Sequence, residues 1–141
     1  MNWLLLENLF FQPVMGEALC VYLTKNELEI MDVLWEQQRP LSRGELLSLP
    51  KNKTWMDSSI HILLNSLLRK GAIREAGYAK CGKTSGRVYA AALSCPEYYV
   101  TTLNSTRAKP SLPELLKAYL AAFPVKEDEK KQAVELLKEE K

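Results

Sequence analysis

The residues best suited to chemistry lie between positions 51 and 87, where basic side chains far outnumber acidic ones. This stretch has eight basic residues against only Asp57 and Glu75, a local charge of +6 in a chain whose net charge is +2. A basic block is typical of surfaces that bind polyanions, since lysine and arginine neutralise phosphate charge. A solvated basic face is the plainer interpretation. The basic residues are Lys51, Lys53, Arg69, Lys70, Arg74, Lys80, Lys83 and Arg87.

Residue patterns that would support catalysis or metal binding are missing from the sequence. His61 is the only histidine, and neither a G-x-S-x-G nucleophile motif nor a phosphate-binding glycine loop occurs. Cys20, Cys81 and Cys95 lack the paired C-x-x-C spacing of zinc sites. We therefore expect no catalytic residue, no metal, no cofactor and no enzyme activity. Unpaired thiols favour a reducing, cytoplasmic location.

A helix is predicted from about Asp57 to Lys70, in the middle of the basic stretch of residues 51–87. Four apolar residues recur in it at helical spacing and should face inward: Ile60, Leu63, Leu64 and Leu67. The opposite face is then polar apart from one isoleucine. Its residues are Ser58, His61, Ile62, Asn65 and Arg69.

The flanking elements predict a mostly α fold with a small β-hairpin. Four Ser/Thr-x-x-Glu capping boxes mark helix starts: Thr24/Glu27, Ser42/Glu45, Ser94/Glu97 and Ser111/Glu114. Helices are predicted at about 24–38, 42–49, 96–106 and 126–140, with another from Leu112 to Phe123. Strands are predicted at 72–78 and 87–93, and residues 79–86 form a hairpin wing between them. This order is that of a winged helix-turn-helix domain followed by a helical C-terminal region.

The helix that begins near residue 112 has a broad apolar stripe that needs a partner surface. The stripe follows the i, i+3, i+4, i+7, i+8, i+11 pattern. It consists of Leu112, Leu115, Leu116, Tyr119, Leu120 and Phe123. It either folds back on the rest of the chain or meets a second copy, and a homodimer is favoured because two-fold dimers are the commonest oligomers.

The first 22 residues are apolar, but they do not fit a signal peptide or a membrane span. No basic residue precedes the apolar run, and Glu7, Gln12, Pro13 and Glu17 interrupt it. We therefore divide the chain into an N-terminal extension without an assigned role (1–22), a winged helix DNA-binding domain (23–95) and a helical dimerisation region (96–141). No contact with a membrane is expected.

Two stretches of sequence carry a family resemblance. The first is L-T-K-N-E-L-E-I-M-D-V-L-W, from Leu23 to Trp35. The second is W-M-D-S-S-I-H-I-L-L-N-S-L-L-R-K-G, from Trp55 to Gly71, which fits the pattern W-x4-I-x2-L-x3-L-x-[KR]-K-G. With the apolar and charged helices of residues 112–141, they make the chain resemble the BlaI/MecI/CopY repressors, which are winged-helix transcriptional regulators of bacteria.

The resemblance implies a homodimer that binds an inverted-repeat operator in double-stranded DNA and blocks transcription. It places the third helix in the major groove, the wing along the backbone and the Leu112 stripe in the dimer. The expected recognition residues are Trp55, Ser58, Ser59, His61, Ile62, Asn65 and Arg69. The expected backbone contacts are Lys51, Lys53, Lys70, Arg74, Lys80, Lys83 and Arg87. A winged-helix module that binds protein instead of DNA is the main alternative.

The chain also departs from its relatives. Ser58, His61, Ile62 and Ser66 stand where relatives place basic or hydroxyl groups, so we expect a different operator. No cysteine follows Cys95, whereas copper-responsive relatives have a C-terminal cysteine cluster. Asn104 is followed by Ser105, whereas beta-lactam-responsive relatives are cut at an Asn-Phe bond.

Overall fold

A computed structural model describes residues 21–81 and 84–139 of the chain. The chain divides into two compact units, Met1–Ser105 and Thr106–Lys141. The first unit therefore includes residues 96–105, which the sequence analysis assigned to the helical C-terminal region. The indole Nε1 of Trp35 donates a 2.8 Å hydrogen bond to the Leu93 carbonyl, and its ring lies 5.9 Å from that of Tyr98. These contacts hold the helix after Ser94 to the first unit.

Three of the helices of the first unit begin where the capping boxes predict. At Thr24, Ser42 and Ser94 the side-chain hydroxyl accepts from the backbone N–H of the glutamate three residues on, and that glutamate accepts from the N–H of the capping residue. Each box satisfies amides that the first turn leaves without partners. The helices are α1 (Lys25–Gln37), α2 (Arg43–Ser48), α3 (Ile60–Arg69, after the 3-10 turn Asp57–Ser59) and α4 (Cys95–Thr102, before the 3-10 turn Leu103–Ser105).

Three antiparallel strands form the sheet of the first unit, in the order β1-β3-β2. They are β1 (Leu41–Ser42), β2 (Ile73–Cys81) and β3 (Thr84–Ala91). The sequence did not predict β1, in which Leu41 pairs with Tyr89 and Ser42 with Val88. Strands β2 and β3 extend through most of residues 79–86, the segment predicted as the hairpin wing between shorter strands. The combination of three helices and a long hairpin confirms the predicted winged helix fold.

A break in pairing bends the β2–β3 hairpin, which we call the wing. The register shifts between Glu75 and Tyr78, and Gly77 lies there with a φ of 112°. Only glycine adopts such a φ without strain, and a bulge of this kind turns and twists the strand. The bulge therefore redirects the outer part of the wing, from Tyr78 to Lys80, relative to its base.

Apolar side chains from α1, α2, α3 and the base of the wing form one core. In α3 the predicted inward residues Ile60, Leu64 and Leu67 are at most 2% exposed, and Leu63 is half-buried against the same cluster. The core therefore determines which face of α3 is left to solvent. Its other buried members include Leu23, Ile30, Met31, Val33, Leu34, Leu41, Leu46, Ala72, Ile73 and Leu93.

The second unit consists of two helices, α5 (Leu112–Ala122) and α6 (Glu127–Glu139). The fourth predicted capping box, Ser111 with Glu114, starts α5. Pro124 follows Phe123, the residue that caps the end of α5, and a proline cannot continue a helix. Among the helices of the described ranges, none is both long enough and apolar enough to cross a membrane.

Candidate nucleic-acid interface

The outer face of α3 is exposed along its whole length. Ser58, His61, Ile62, Asn65 and Arg69 all lie in solvent, whereas Ser59 is half-buried. Ile62 is 70% exposed, although it is flanked by polar side chains. The face thus offers hydroxyl, imidazole, amide and guanidinium groups around one aliphatic side chain, a set that can contact the edges of bases.

Trp55 does not belong to this face. Its side chain is only 5% exposed and forms part of the core, which corrects its sequence-based assignment as a recognition residue. The Nζ of Lys53 lies 4.9 Å from the centre of the Trp55 ring, and Lys53 also pairs with Asp57. The neighbouring Met56, by contrast, is 74% exposed.

Two residues near the end of α3 point toward α1. The Nζ of Lys70 donates to the Glu27 carboxylate and to the Tyr22 carbonyl, both at 2.8 Å. The Ser66 hydroxyl donates to Glu27 at 3.2 Å. Lys70 thus already has partners on α1, which favours a structural role over the predicted phosphate contact, and Ser66 is not part of the outer face.

The remaining basic residues differ in how firmly they are held. Lys53 keeps only 18% of its side chain exposed and pairs with Asp57, so it stabilises the turn into α3. Arg87 pairs with Glu75 across the wing at 2.9 Å, with both side chains about half exposed. Exposed pairs of this kind contribute only about 0–1 kcal/mol, so Arg87 can exchange Glu75 for a phosphate.

Four of the predicted cations are exposed and have no partner among the residues that the structure describes. Within the described part of the chain, Lys51, Arg69, Arg74 and Lys80 form no ion pair and no hydrogen bond through their side chains. They come from the turn before α3, the end of α3 and the two halves of β2. Positive charge therefore lies before α3, at its last residue and after it in the sequence. Lys83, the remaining cation of the predicted set, lies outside the described residues.

Sequence reasoning missed one residue beside α3. Arg43, the first residue of α2, places its Nη1 2.6 Å from the Nε2 of His61. Both side chains are exposed. Arg43 lies outside the basic block of residues 51–87 and 18 positions before His61, so no local pattern connects the two.

An acidic groove of about 590 Å³ lies elsewhere on the first unit, between α1 and the turn that follows α2. Glu29, Asp32 and Glu36 line it together with Lys51. Burial raises the pKa of the Asp32 carboxyl above its ordinary value, and the charges of Glu36 and Glu29 raise it further. Burial, followed by the charge of Asp32, likewise raises the pKa of the Cys95 thiol. In the described ranges no three His, Cys, Asp or Glu residues are arranged to hold a metal ion.

The apolar stripe predicted in the second unit is uncovered. Tyr119 and Phe123 lie with ring centres 5.0 Å apart, and both are more than half exposed. On α6, Val134, Leu136 and Leu137 are also about half exposed. The six stripe residues, five in α5 and Phe123 at its C-terminal cap, are between 40% and 60% exposed: Leu112, Leu115, Leu116, Tyr119, Leu120 and Phe123.

A winged helix whose third helix has an exposed polar face, with cations near it in the sequence that have no ion-pair partner among the described residues, is the architecture of DNA-binding transcriptional regulators. The family model described as penicillinase repressor matches residues 23–139. The chain belongs to this family of DNA-binding transcriptional repressors. No curated protein matches the sequence.

Proposed function

We propose that this protein is a homodimeric repressor that binds an inverted-repeat operator in duplex DNA. The observation that carries the proposal is the outer face of α3, which is exposed and polar in a member of a repressor family. The major groove admits an α-helix and distinguishes all four base pairs. Operator binding by α3 would exclude the transcription machinery, and a repressor of this kind would act in the cytoplasm.

Asn65 and Ile62 are the proposed base-reading residues with the clearest chemistry. The Asn65 amide can donate and accept at once, which suits the N6 and N7 atoms of adenine. Ile62 has no polar group and is 70% exposed, so it suits contact with a thymine methyl. We therefore expect adenine and thymine at neighbouring positions of each half-site.

The proposed phosphate contacts are Lys51, Arg69, Arg74 and Lys80, with Arg87 as a fifth. The first four are exposed and have no ion-pair partner among the described residues, so binding a phosphate breaks no existing contact. Each phosphate contact lowers the slope of log affinity against log salt by about 0.9. Five contacts per protomer predict a steep salt dependence.

Selection of binding sites from random duplexes by the full-length protein tests the proposal directly. We expect an inverted repeat whose half-sites are about one helical turn apart, bound by a particle of dimer mass. Affinity for the selected site should fall steeply between low and moderate salt. Failure to enrich any sequence, or an affinity that salt does not change, would contradict the proposal.

Two variants and a control separate base reading from phosphate binding. Lys80→Ala should weaken binding to all sequences alike and make the salt slope shallower by about one. Asn65→Ala should change the base preference at one position of each half-site, with a loss of about 1–3 kcal/mol there. Lys25→Ala removes one exposed cation from the start of α1 and should change neither property. If Lys80→Ala and Asn65→Ala behave identically, these roles are wrong.

A second candidate function is binding to another protein. The uncovered α5 stripe and the exposed Ile62 and Met56 favour it, because large exposed apolar patches commonly mark interaction sites. Under this alternative the purified protein forms a stoichiometric complex with a partner and retains no nucleic acid. The selection experiment discriminates between the two functions, since a protein-binding module recovers no operator.

A further inference from the structure

A hydrogen bond joins α2 to the outer face of α3. Nη1 of Arg43 lies 2.6 Å from Nε2 of His61. Arg43 follows directly after Ser42, the capping residue of α2, which is 5% exposed. The backbone that carries Arg43 is therefore fixed by the core and by the cap, although its side chain is exposed.

Glu45, the acidic side chain of α2, already accepts hydrogen bonds from other residues. The Glu45 carboxylate accepts from Arg39 at 2.6 Å and from the Ser42 amide at 3.3 Å, and these bonds lower its pKa. Arg43 forms no ion pair within the described ranges, and His61 is its hydrogen-bond partner. The two arginines that flank the start of α2 thus have different partners.

The chemistry of the two groups determines where the proton of the imidazole lies. A guanidinium has five N–H donors, no acceptor, and stays protonated in proteins. Nε2 of His61 must therefore accept with its lone pair. An imidazole that accepts at Nε2 is neutral and carries its proton on Nδ1.

We propose that Arg43 is a positioning residue that sets the specificity of α3 by fixing His61 as the Nδ1–H tautomer. At this position the outer face then presents the imidazole N–H and the guanidinium N–H groups, all donors, and no acceptor. Such a surface is complementary to acceptors, and guanine has two of them, N7 and O6, on its major-groove edge. This consequence for base preference rests on the proposed function, whereas the tautomer does not.

Imidazole nitrogen spectroscopy of the full-length protein tests the tautomer. His61 is the only histidine in the chain, so a long-range proton–nitrogen correlation spectrum contains a single ring. In the neutral ring we expect the proton on Nδ1. A wild-type ring that carries its proton on Nε2 overturns the proposal.

Three variants link the tautomer to Arg43. Arg43→Met should release the ring and move it toward the Nε2–H form, whereas Arg43→Lys keeps a donor and should retain the wild-type form. Arg39→Met is the matched control, because it removes a neighbouring cation that bonds Glu45 and not His61. An unchanged spectrum in Arg43→Met, with an unchanged amide spectrum showing that the variant is folded, overturns the positioning role.

Binding-site selection with the same variants tests specificity. Arg43→Met should lose about tenfold in discrimination at the base position that His61→Ala also affects, while Arg39→Met should retain it. If Arg43→Met changes the tautomer but keeps the wild-type preference, the specificity role fails. If the wild-type protein selects no sequence, the proposed function fails, and the spectra alone still decide whether Arg43 sets the tautomer.

Discussion

Nζ of Lys70, at the end of α3, lies 2.8 Å from Oε1 of Glu27, a carboxylate near the start of α1 that is only 2% exposed. Glu27 also accepts from the backbone and hydroxyl of Thr24 and from the hydroxyl of Ser66. Burial by itself would raise the pKa of Glu27, but hydrogen bonds from Lys70 and Thr24 outweigh burial and hold the pKa below its ordinary value. The ion pair therefore joins the capping box of α1 to the helix that we propose to bind DNA.

Removal of Lys70 should destabilise the first unit. In Lys70→Met the Glu27 carboxylate stays buried without its cation, a change that costs about 3–5 kcal/mol for a fully buried pair. Because the Lys70 side chain is 30% exposed, we expect a loss of about 2 kcal/mol in the free energy of unfolding, measured by urea denaturation at neutral pH. Arg39→Met, which breaks the exposed pair with Glu45, should cost less than about 1 kcal/mol. Equal losses in the two variants would contradict the structural role of Lys70.

The contribution of Glu27 to stability should depend on pH. Because its folded-state pKa is below the unfolded value of about 4.3, the stabilisation is present above that pH and is lost as the pH falls through the folded-state pKa. Urea denaturation of wild type and Glu27→Gln should show the wild type more stable at neutral pH. The difference should shrink below about pH 4. A difference that does not change with pH would mean that the charge of Glu27 contributes nothing.

The contribution of Asp32 to stability should depend on pH in the opposite direction to that of Glu27. Burial and its neighbours Glu36 and Glu29 raise its pKa in the folded state, so its charge destabilises the fold at neutral pH and protonation relieves this as the pH falls. Since the residue is exposed, Asp32→Asn should stabilise the protein by only about 0.5 kcal/mol at neutral pH. The gain should disappear in acid, where wild-type Asp32 is itself protonated. A stabilisation equally large in acid would have to come from a source other than charge.

Local features of the fold were predictable from the sequence because their determinants lie within one or two helical turns. The capping box at Thr24 and Glu27 needs only residues three positions apart, and it occurs as predicted. Ile60, Leu64 and Leu67 follow helical spacing and are buried, which in turn exposes Ile62. The spacing of apolar residues along α3 was therefore enough to assign its buried face and its exposed face.

Features that depend on distant parts of the chain were not predictable in this way. Lys70 seemed part of the basic surface because nothing near it in the sequence indicates Glu27, 43 residues earlier. Trp55 precedes α3, where helical periodicity does not determine its direction, and tertiary packing buries it. Arg43 was missed because its partner lies 18 residues away, and Leu41 because β1 is too short to show a strand pattern.

The last prediction concerns the apolar stripe of α5. Within the described residues of the second unit, the six stripe residues are 40–60% exposed. Burial of apolar surface contributes about 25 cal/mol per Å², so leaving this stripe in water is unfavourable. A second copy of α5 and α6 would cover it, and a two-fold arrangement would match an inverted-repeat operator. We therefore expect the full-length protein to sediment as a dimer at micromolar concentration.

Charge on the stripe should dissociate that dimer and reduce operator affinity without altering the winged helix. The double variant Leu116→Lys with Leu120→Lys places two like charges on each copy of the proposed interface, and sedimentation should show monomers. Binding to the full inverted repeat should weaken much more than binding to one half-site, because only a dimer engages both halves at once. Lys117→Ala, a change of a charged residue on the same helix outside the stripe, should leave the mass and the affinity unchanged. A wild-type protein that is monomeric and binds the full repeat no more tightly than a half-site would contradict the dimer. The role of α3 would still be decided by the selection experiment.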